Sequence, residues 1–468
     1  MIAAFDLGHE GRRRGDEGDL RPSEDVFELT MRARLHAEAR FLRHVKARLE
    51  ARLDYWVTSE RSKPGSVYWL GNGQAWETRG EVELGEAYVD LTLGPVDLRL
   101  GNQIVAWGLS ELLNPNDVVN PMDLRRGLFG FDEDRRLPIL AAKAAWHFGS
   151  MKLEGVWLPL FSPHRFELWG SDFAIFGPGS SSILGQAEDR LDRLLHPTHR
   201  GRASALLSST HPPPQDPSSS SLGLRFSGRS RGWDIGAQYF FGWDRSPGLG
   251  VDSDFYRAAM DGELFQNGTL NIVALGALLV GNPLFETRYH HGHQAGLSVG
   301  KAFDDFALKL DMAYFPDRGY LRTDRLPEPL GAGLVELRVE HHTLVTALSA
   351  EYAHGSRFFI QIQGVHAFLL DREANDPREL MGFLTERQLA LAVATMRLQL
   401  LRETLLLSLT GAVDLLHGSF VLAPTVAYKI TDSVKVSLGV LWFEGKSNSL
   451  FGSWNKNDLI WLDVSWRW

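Results

Sequence analysis

The chain has 468 residues, with 49 Lys+Arg against 58 Asp+Glu, a formal charge of −9 and no cysteine. The acidic balance argues against a nucleic-acid binder, which shows a basic excess on one face, and the missing thiols exclude zinc ribbons, iron–sulfur clusters, disulfides and cysteine catalysis. Mean hydropathy is −0.17, and no stretch approaches the ~20 apolar residues of a membrane-spanning helix, whereas a membrane barrel strand needs only ~10 alternating residues.

In chain order, the first regular pattern begins at Phe27. Phe27, Leu29, Met31, Ala33 and Leu35 share one parity; Glu28, Thr30, Arg32, Arg34 and His36 share the other. From Val45 to Val57 the apolar residues again alternate with His44, Lys46, Arg48, Glu50, Arg52 and Asp54. A helix would scatter these charges around its girth, and a strand collects them on one face. Similar segments follow at 82–93, 95–107, 137–148, 151–161, 221–230, 233–243, 289–302, 306–315, 342–353, 357–368, 389–400, 404–415, 420–430, 433–444 and 458–468.

The connections alternate in length. Gly94-Pro95, Gly149-Ser150, Gly232, Asp304-Asp305 and Gly355-Ser356 are tight links, and 59–80, 109–136, 163–219, 245–285, 318–341, 371–387 and 446–456 are long ones. Tight turns at one end and long loops at the other mark an up-and-down transmembrane barrel, where a Greek-key sandwich lacks that rhythm. The expectation is an all-β chain, residues 1–468 forming a single antiparallel barrel domain of 16–18 strands, with long extracellular loops at 109–136, 163–219 and 245–285. Eighteen is favoured, because the seventeen segments from residue 27 onward leave the first without an upward partner. Met1 to Leu7 then reads as the remnant of a truncated first strand, and residues 9–25 as the first loop. No signal peptide precedes it in the sequence, a feature read as truncation or a misassigned start, since the destination is the cell outer membrane.

The last segment places Ile460, Leu462, Val464, Trp466 and Trp468 on one parity. A final strand with this spacing and a terminal aromatic resembles the signal read by the barrel-assembly machinery. That machinery, through Trp468, and the lipid and lipopolysaccharide around the barrel are the expected partners.

Among the loops, 187–195 (AEDRLDRLL) has helical spacing, and 211–221 is Pro- and Ser-rich, a composition that favours a disordered surface segment. The 245–285 loop is expected to hold one or two short amphipathic helices, including the apolar piece around Leu275. The 109–136 loop leaves RLGNQIVAWG and reads LNPNDVVNPMDLRRGLFG from Leu113 to Gly130, with turns favoured at Asn114-Pro115 and Asn120-Pro121. This run, Gly101-x-Gln103, Trp107-Gly108 and Asn114-Pro115-x-Asp117, resembles a family of proteobacterial outer-membrane, porin-like barrels catalogued as a domain of unknown function. The resemblance implies an outer-membrane location and transport, in some members as companion to an inner-membrane exporter of the resistance-nodulation-division type that moves lipids or other hydrophobic molecules.

A loop with fixed turns beside lumen-facing residues suits a constriction, whose candidate residues are Arg99, Gln103, Asn116, Asp117, Arg125 and Arg126. The functional expectation is therefore a channel or conduit for small or hydrophobic solutes, with a non-conducting scaffold barrel as the alternative. Mixed charge on the inward parity either braces the wall or steers anions; Arg32, Arg34, Lys46, Arg48, Arg52 and Arg99 share that face with Glu50, Asp54, Glu86 and Asp90. No catalytic residue, cofactor or metal is assigned. His291 and His293 share a strand face, but two ligands without a carboxylate are a poor metal site. Nothing in the spacing pairs a strand serine with a histidine, which leaves a barrel-embedded hydrolase remote.

Overall fold

The computed structural model describes residues 2–6, 27–59, 76–125, 135–165, 208–211, 213, 215–260, 265–266, 269–270, 285–322, 324, 333–380, 383, 385–446, 449–455 and 458–466. The first strands are β1 (Ile2–Asp6), β2 (Phe27–Leu42), β3 (Val45–Ser59), β4 (Trp76–Leu93), β5 (Val96–Gln103), β6 (Ile139–Phe148) and β7 (Met151–Leu158). The middle holds β8 (Ser208–His211), β9 (Ser221–Ser230), β10 (Trp233–Trp243), β11 (Gly248–Asp252), helix α1 (Ser253–Met260), β12 (Phe265–Gln266), β13 (Thr269–Leu270) and β14 (Phe285–Arg288). Then come β15 (His291–Phe303), β16 (Phe306–Leu321), β17 (Leu334–Glu336), β18 (Arg338–His354), β19 (Phe358–Leu369) and β20 (Gln388–Leu400). The last are β21 (Leu405–Asp414), β22 (Phe420–Lys429), β23 (Val434–Glu444) and β24 (Leu459–Trp466).

Eighteen of these strands form one sheet in which every neighbour is antiparallel and sequential. The sheet closes into a barrel at β1, where Phe5 lies opposite both Phe27 and Ile460. Closure is what lets a sheet stand in hydrocarbon, and here the short β1 covers only Phe27–Thr30 of β2 and Leu459–Asp463 of β24. Turns of two to four residues join the strands at one end, and the long connections gather at the other. At that loop end β8, β11, β14 and β17 form a separate four-stranded sheet. No described helix is long and apolar enough to cross a membrane.

Parity sorts the side chains as the alternation predicts. Leu297 and Leu348 face outward and are 56% and 57% exposed, while Asp311 and Gln363 face inward and are both fully buried. Trp146, Phe306, Tyr428 and Trp466 stand outward near the tight turns, and Trp157, Tyr239, Tyr314 and Trp442 outward near the loops. The two bands match the aromatic girdles of membrane barrels.

The structure departs from the sequence reading in three places. The strand expected over 95–107 stops at Gln103, and Ile104–Trp107 turn into the lumen. The pairing of β3 with β4 slips between Leu49 and Ala51, a bulge at Gly85. Before it Val82 and Leu84 face outward; after it Val89 and Leu93 do. The bulge puts Glu81 and Glu83 on the inner wall as well as Glu86 and Asp90.

The Pro- and Ser-rich run is ordered at its end, because the Asp216 carboxylate accepts the Ser218 amide (2.8 Å) and caps a turn over Pro217–Ser219, with Ser219 buried. The 245–285 loop contains a short helix as expected, α1, whose Asp254 and Arg257 pair one turn apart. Residues 9–25, 187–195, Leu275, Arg126 and Trp468 lie outside the described residues.

Leu310 faces outward between Val299 and Leu348, half-way along the paired part of β16. Leu310→Arg is expected to cost about 2–4 kcal/mol of folding free energy in lipid, the range for a cation at the midplane of a barrel's lipid face. Reversible urea unfolding in vesicles measures it, and a change below about 0.5 kcal/mol would place that face away from hydrocarbon.

Candidate functional site

The loop between β5 and β6 folds across the lumen, and its path begins with a glycine. Gly101 has φ +130°, and a Cβ there would run into the carbonyl of Ala87 and the backbone of Tyr88. Past it the apolar residues change parity, from Leu98 and Leu100 outward to Val105 and Trp107 inward and buried. Gln103 ties the strand end to β6 through Nε2 and the Ala141 carbonyl, 2.9 Å. The Trp107 ring lies where a Cβ on Gly223 would be, and its Nε1 donates to Glu154 Oε1 at 2.8 Å.

Gly108, at φ +88°, admits the Asn114 side chain. Asn114 then staples the turn: Nδ2 donates to the carbonyls of Trp107 (2.7 Å) and Ser110 (3.0 Å), and Oδ1 accepts the Asn116 amide (2.9 Å). This asparagine-centred turn is what the Asn114-Pro115 step encodes.

The loop is held by the opposite wall. The Asp311 carboxylate on β16 accepts the amides of Leu109 (3.1 Å) and Ser110 (2.6 Å) and the Asn116 Nδ2 (3.1 Å). Asn116 also donates to the Leu297 carbonyl on β15, while Gln294 donates to its Oδ1 (3.0 Å) and Gln238 to its backbone carbonyl (2.7 Å). Gln363 on β19 pairs both ways with the backbone of Leu113, 2.9 Å each. Leu112 and Leu113 rest on an inward apolar patch that includes Leu391, Val393, Leu441 and Phe443. Small residues clear the way, since a Cβ on Gly296 would strike the Asn116 amide.

The return limb is fixed on its own side. Asn120 accepts the Val105 amide (2.7 Å) and donates to the Leu137 carbonyl (2.8 Å). Arg245 donates to the Val119 carbonyl (2.6 Å), and Asp117 pairs with Arg136 at 2.5 Å. Burial pushes the Asp117 carboxyl above its ordinary value, opposed by Arg136. His164 Nδ1 accepts the Met122 amide (2.9 Å), and burial, with Arg245 and Arg318 nearby, brings that ring down to about 3.

The six sequence-derived residues therefore occupy different places. Gln103, Asn116 and Asp117 are buried fixtures of the loop and its root. Arg99 lies on the wall, held by both oxygens of Asp90 (2.6 and 2.9 Å) and stacked over Tyr88. Arg125 is paired with Asp123 (2.6 Å) and Glu81 (3.5 Å), and Arg126 lies outside the described residues. Gln238, Gln294 and Gln363 were not singled out from sequence, nor was Glu154; inward glutamines on strands of ordinary alternation are the signal that points to them.

The wall charges of β2–β4 brace one another. Arg32 pairs with Asp54 (2.7 Å), Arg52 with Asp54 (3.0 Å) and Glu83 (2.5 Å), and Arg165 with Glu83. His291 and His293 face outward, against Trp243 and Phe241, away from the lumen. Among the described residues no group of three or more metal-ligating side chains converges.

These features define a class, a transmembrane antiparallel β-barrel with its β5–β6 loop folded through the lumen. Residues 12–381 match the family described as protein of unknown function (DUF1302), and the chain belongs to it. No curated protein matches it by sequence. Similar solved structures include Pseudomonas aeruginosa OccK7 (OpdD), 11% identical with a TM-score of 0.47 over 99% of this chain and 96% of that one. Acinetobacter baumannii OccAB3 is 9% identical, TM-score 0.46, over 99% and 97%. Salmonella typhi OmpF in complex with daunomycin is 8% identical, TM-score 0.34, over 100% and 96%.

Two predictions follow from the anchors. Asp311→Ala strips the acceptors from two loop amides, a loss of about 1–3 kcal/mol per unsatisfied buried group, so the Leu109 and Ser110 amides should lose at least tenfold in hydrogen-exchange protection. His164 is held neutral in the fold and takes a proton at pH 6.5 when released. Between pH 6.5 and about 3 the released state binds more protons, so anchoring of the return limb weakens as pH falls and is whole above pH 6.5. The Met122 protection factor should fall from pH 7 to pH 5, and His164→Gln should flatten that dependence.

Proposed function

We propose that the protein is an outer-membrane conduit for small solutes, narrowed by the loop between β5 and β6. The observation that carries this reading is the bonding of that loop to the far wall, through Asp311 and Gln363, as well as to its own side. A loop that crosses the lumen sets the width of whatever passes, and an 18-strand ring is otherwise wide. The outward apolar face, the two aromatic bands and the division into short turns and long loops support an outer-membrane location.

Lipid and lipopolysaccharide surround the barrel in this reading, and the barrel-assembly machinery inserts it by way of its last strand. An exporter of the resistance-nodulation-division type as partner, and hydrophobic cargo, rest on the family resemblance. A second reading is favoured by the dense ion pairing of β2–β4: a scaffold barrel whose loop fills the lumen and conducts nothing. Single-channel recording in planar bilayers separates the two. Deleting residues 113–127 should raise conductance several-fold, and Asp311→Asn should add wider, longer openings. Silence in the parent and both variants, with folding intact, would establish the scaffold.

A further inference from the structure

Below the loop, next to the tight turns, the lumen face of β2–β7 lines a half-open cleft of about 400 Å³. That size is at the lower end for small-molecule sites, roughly 300–1,000 Å³. Its wall is crossed by a single register row. Arg40 lies opposite Lys46, Lys46 opposite Asp90, Asp90 opposite Arg99, and Arg99 opposite Lys143. Four cations and one carboxylate thus stand side by side on five strands. Directly opposed like charges destabilise a sheet, and this row has two such pairs, Arg40 with Lys46 and Arg99 with Lys143.

The acids that line the cavity are already engaged. Asp90 holds Arg99 (2.6 Å), Asp97 meets His147 (3.0 Å), and Glu154 holds Lys152 (2.9 Å). Lys46 takes Glu38 (2.9 Å), which is outside the cavity lining. Lys143 makes neither a hydrogen bond nor a close ion pair among the described residues, although it is half-buried. Arg40 is likewise without an ion pair there. Wall bracing accounts for the paired charges and leaves these two unexplained. Adjacent strands lie about 4.8 Å apart, so one carboxylate or phosphate group fits between the heads of neighbouring row members.

We propose that this row is a binding step for an anionic solute, whose carboxylate or phosphate group sits between Lys143 and Arg99, with Lys46 and Arg40 beyond. The inference deepens the conduit reading, and rests on it only in treating the cavity as part of the solute path. Asp90 competes with the solute for Arg99: its two oxygens hold the Nε–Nη2 edge, while the Tyr88 ring covers one guanidinium face.

The test is calorimetric titration of the full chain in detergent micelles at low salt, with succinate and with inorganic phosphate as separate probes. Binding by either probe, weakened about tenfold in Lys143→Gln and largely kept in Lys143→Arg, supports the site and says which anion it takes. Asp90→Asn, which frees Arg99, should tighten binding. Arg40→Gln, at the exposed end of the row, provides a second weakened variant if Lys143→Gln does not fold. Failure of both probes to bind the parent chain, or equal binding by the parent and every folded variant, overturns the proposal. Conductance plays no part in this readout, so a barrel that binds anions without conducting overturns the conduit alone.

Discussion

A peptide group in hydrocarbon has no water to bond with, and each one left unpaired costs several kcal/mol. The ring from β1 to β24 is the response to that constraint, and it dictates the division of labour among side chains. With the backbone consumed by the wall, one parity faces lipid and is apolar, and the other parity is free to carry charge. The lumen then resembles a protein interior with a polar lining. A loop that enters it needs hydrogen-bond partners for every amide it buries.

Those partners come from the wall strands, and they explain the composition of the loop. Asp311 takes two backbone amides and one side-chain amide, and hydrogen bonds to an ionised acceptor are roughly twice as strong as neutral ones. Gln238, Gln294 and Gln363 supply both donors and acceptors, so they match a loop backbone whichever group it presents. The run Gly101-x-Gln103, Trp107-Gly108 and Asn114-Pro115-x-Asp117 serves this docking. Gly101 lets the end of β5 pass close to β4, Trp107 fills the space over Gly223, Asn114 closes the turn, and Asn116 reaches the far side.

Much of the fold was legible because the period of two is a local property. All seventeen segments read from residue 27 onward are strands, and Ile2–Asp6 pairs with both the second and the last of the barrel strands. The departures occur where the parity changes. Val82 and Leu84 against Val89 and Leu93 reveal the bulge at Gly85, and Leu98 and Leu100 against Val105 and Trp107 reveal the end of β5. Both changes are present in the sequence beside a glycine. The loop itself was visible as a candidate, with Asn116 and Asp117 among its residues. Its anchors were not, because Asp311 and Gln363 lie about 200 and 250 positions away and nothing local marks one inward polar residue over another. Arg125 shows the same limit: its charge suggested a filter, and its pairing with Asp123 and Glu81 depends on a wall residue exposed by the bulge.

The same separations bear on how the molecule assembles. Every far-wall anchor of the loop, on β10, β15, β16 and β19, lies later in the chain than the loop it holds. Closing a loop of that length carries an entropic cost that only the finished wall offsets. The tether is thus a late event: the segment has no far-wall partner until the strands that carry Asp311, Gln363, Gln238 and Gln294 have formed their inner faces. The narrowing of the lumen is in this sense a record of completed assembly, and a barrel with its later hairpins unfolded is open by default.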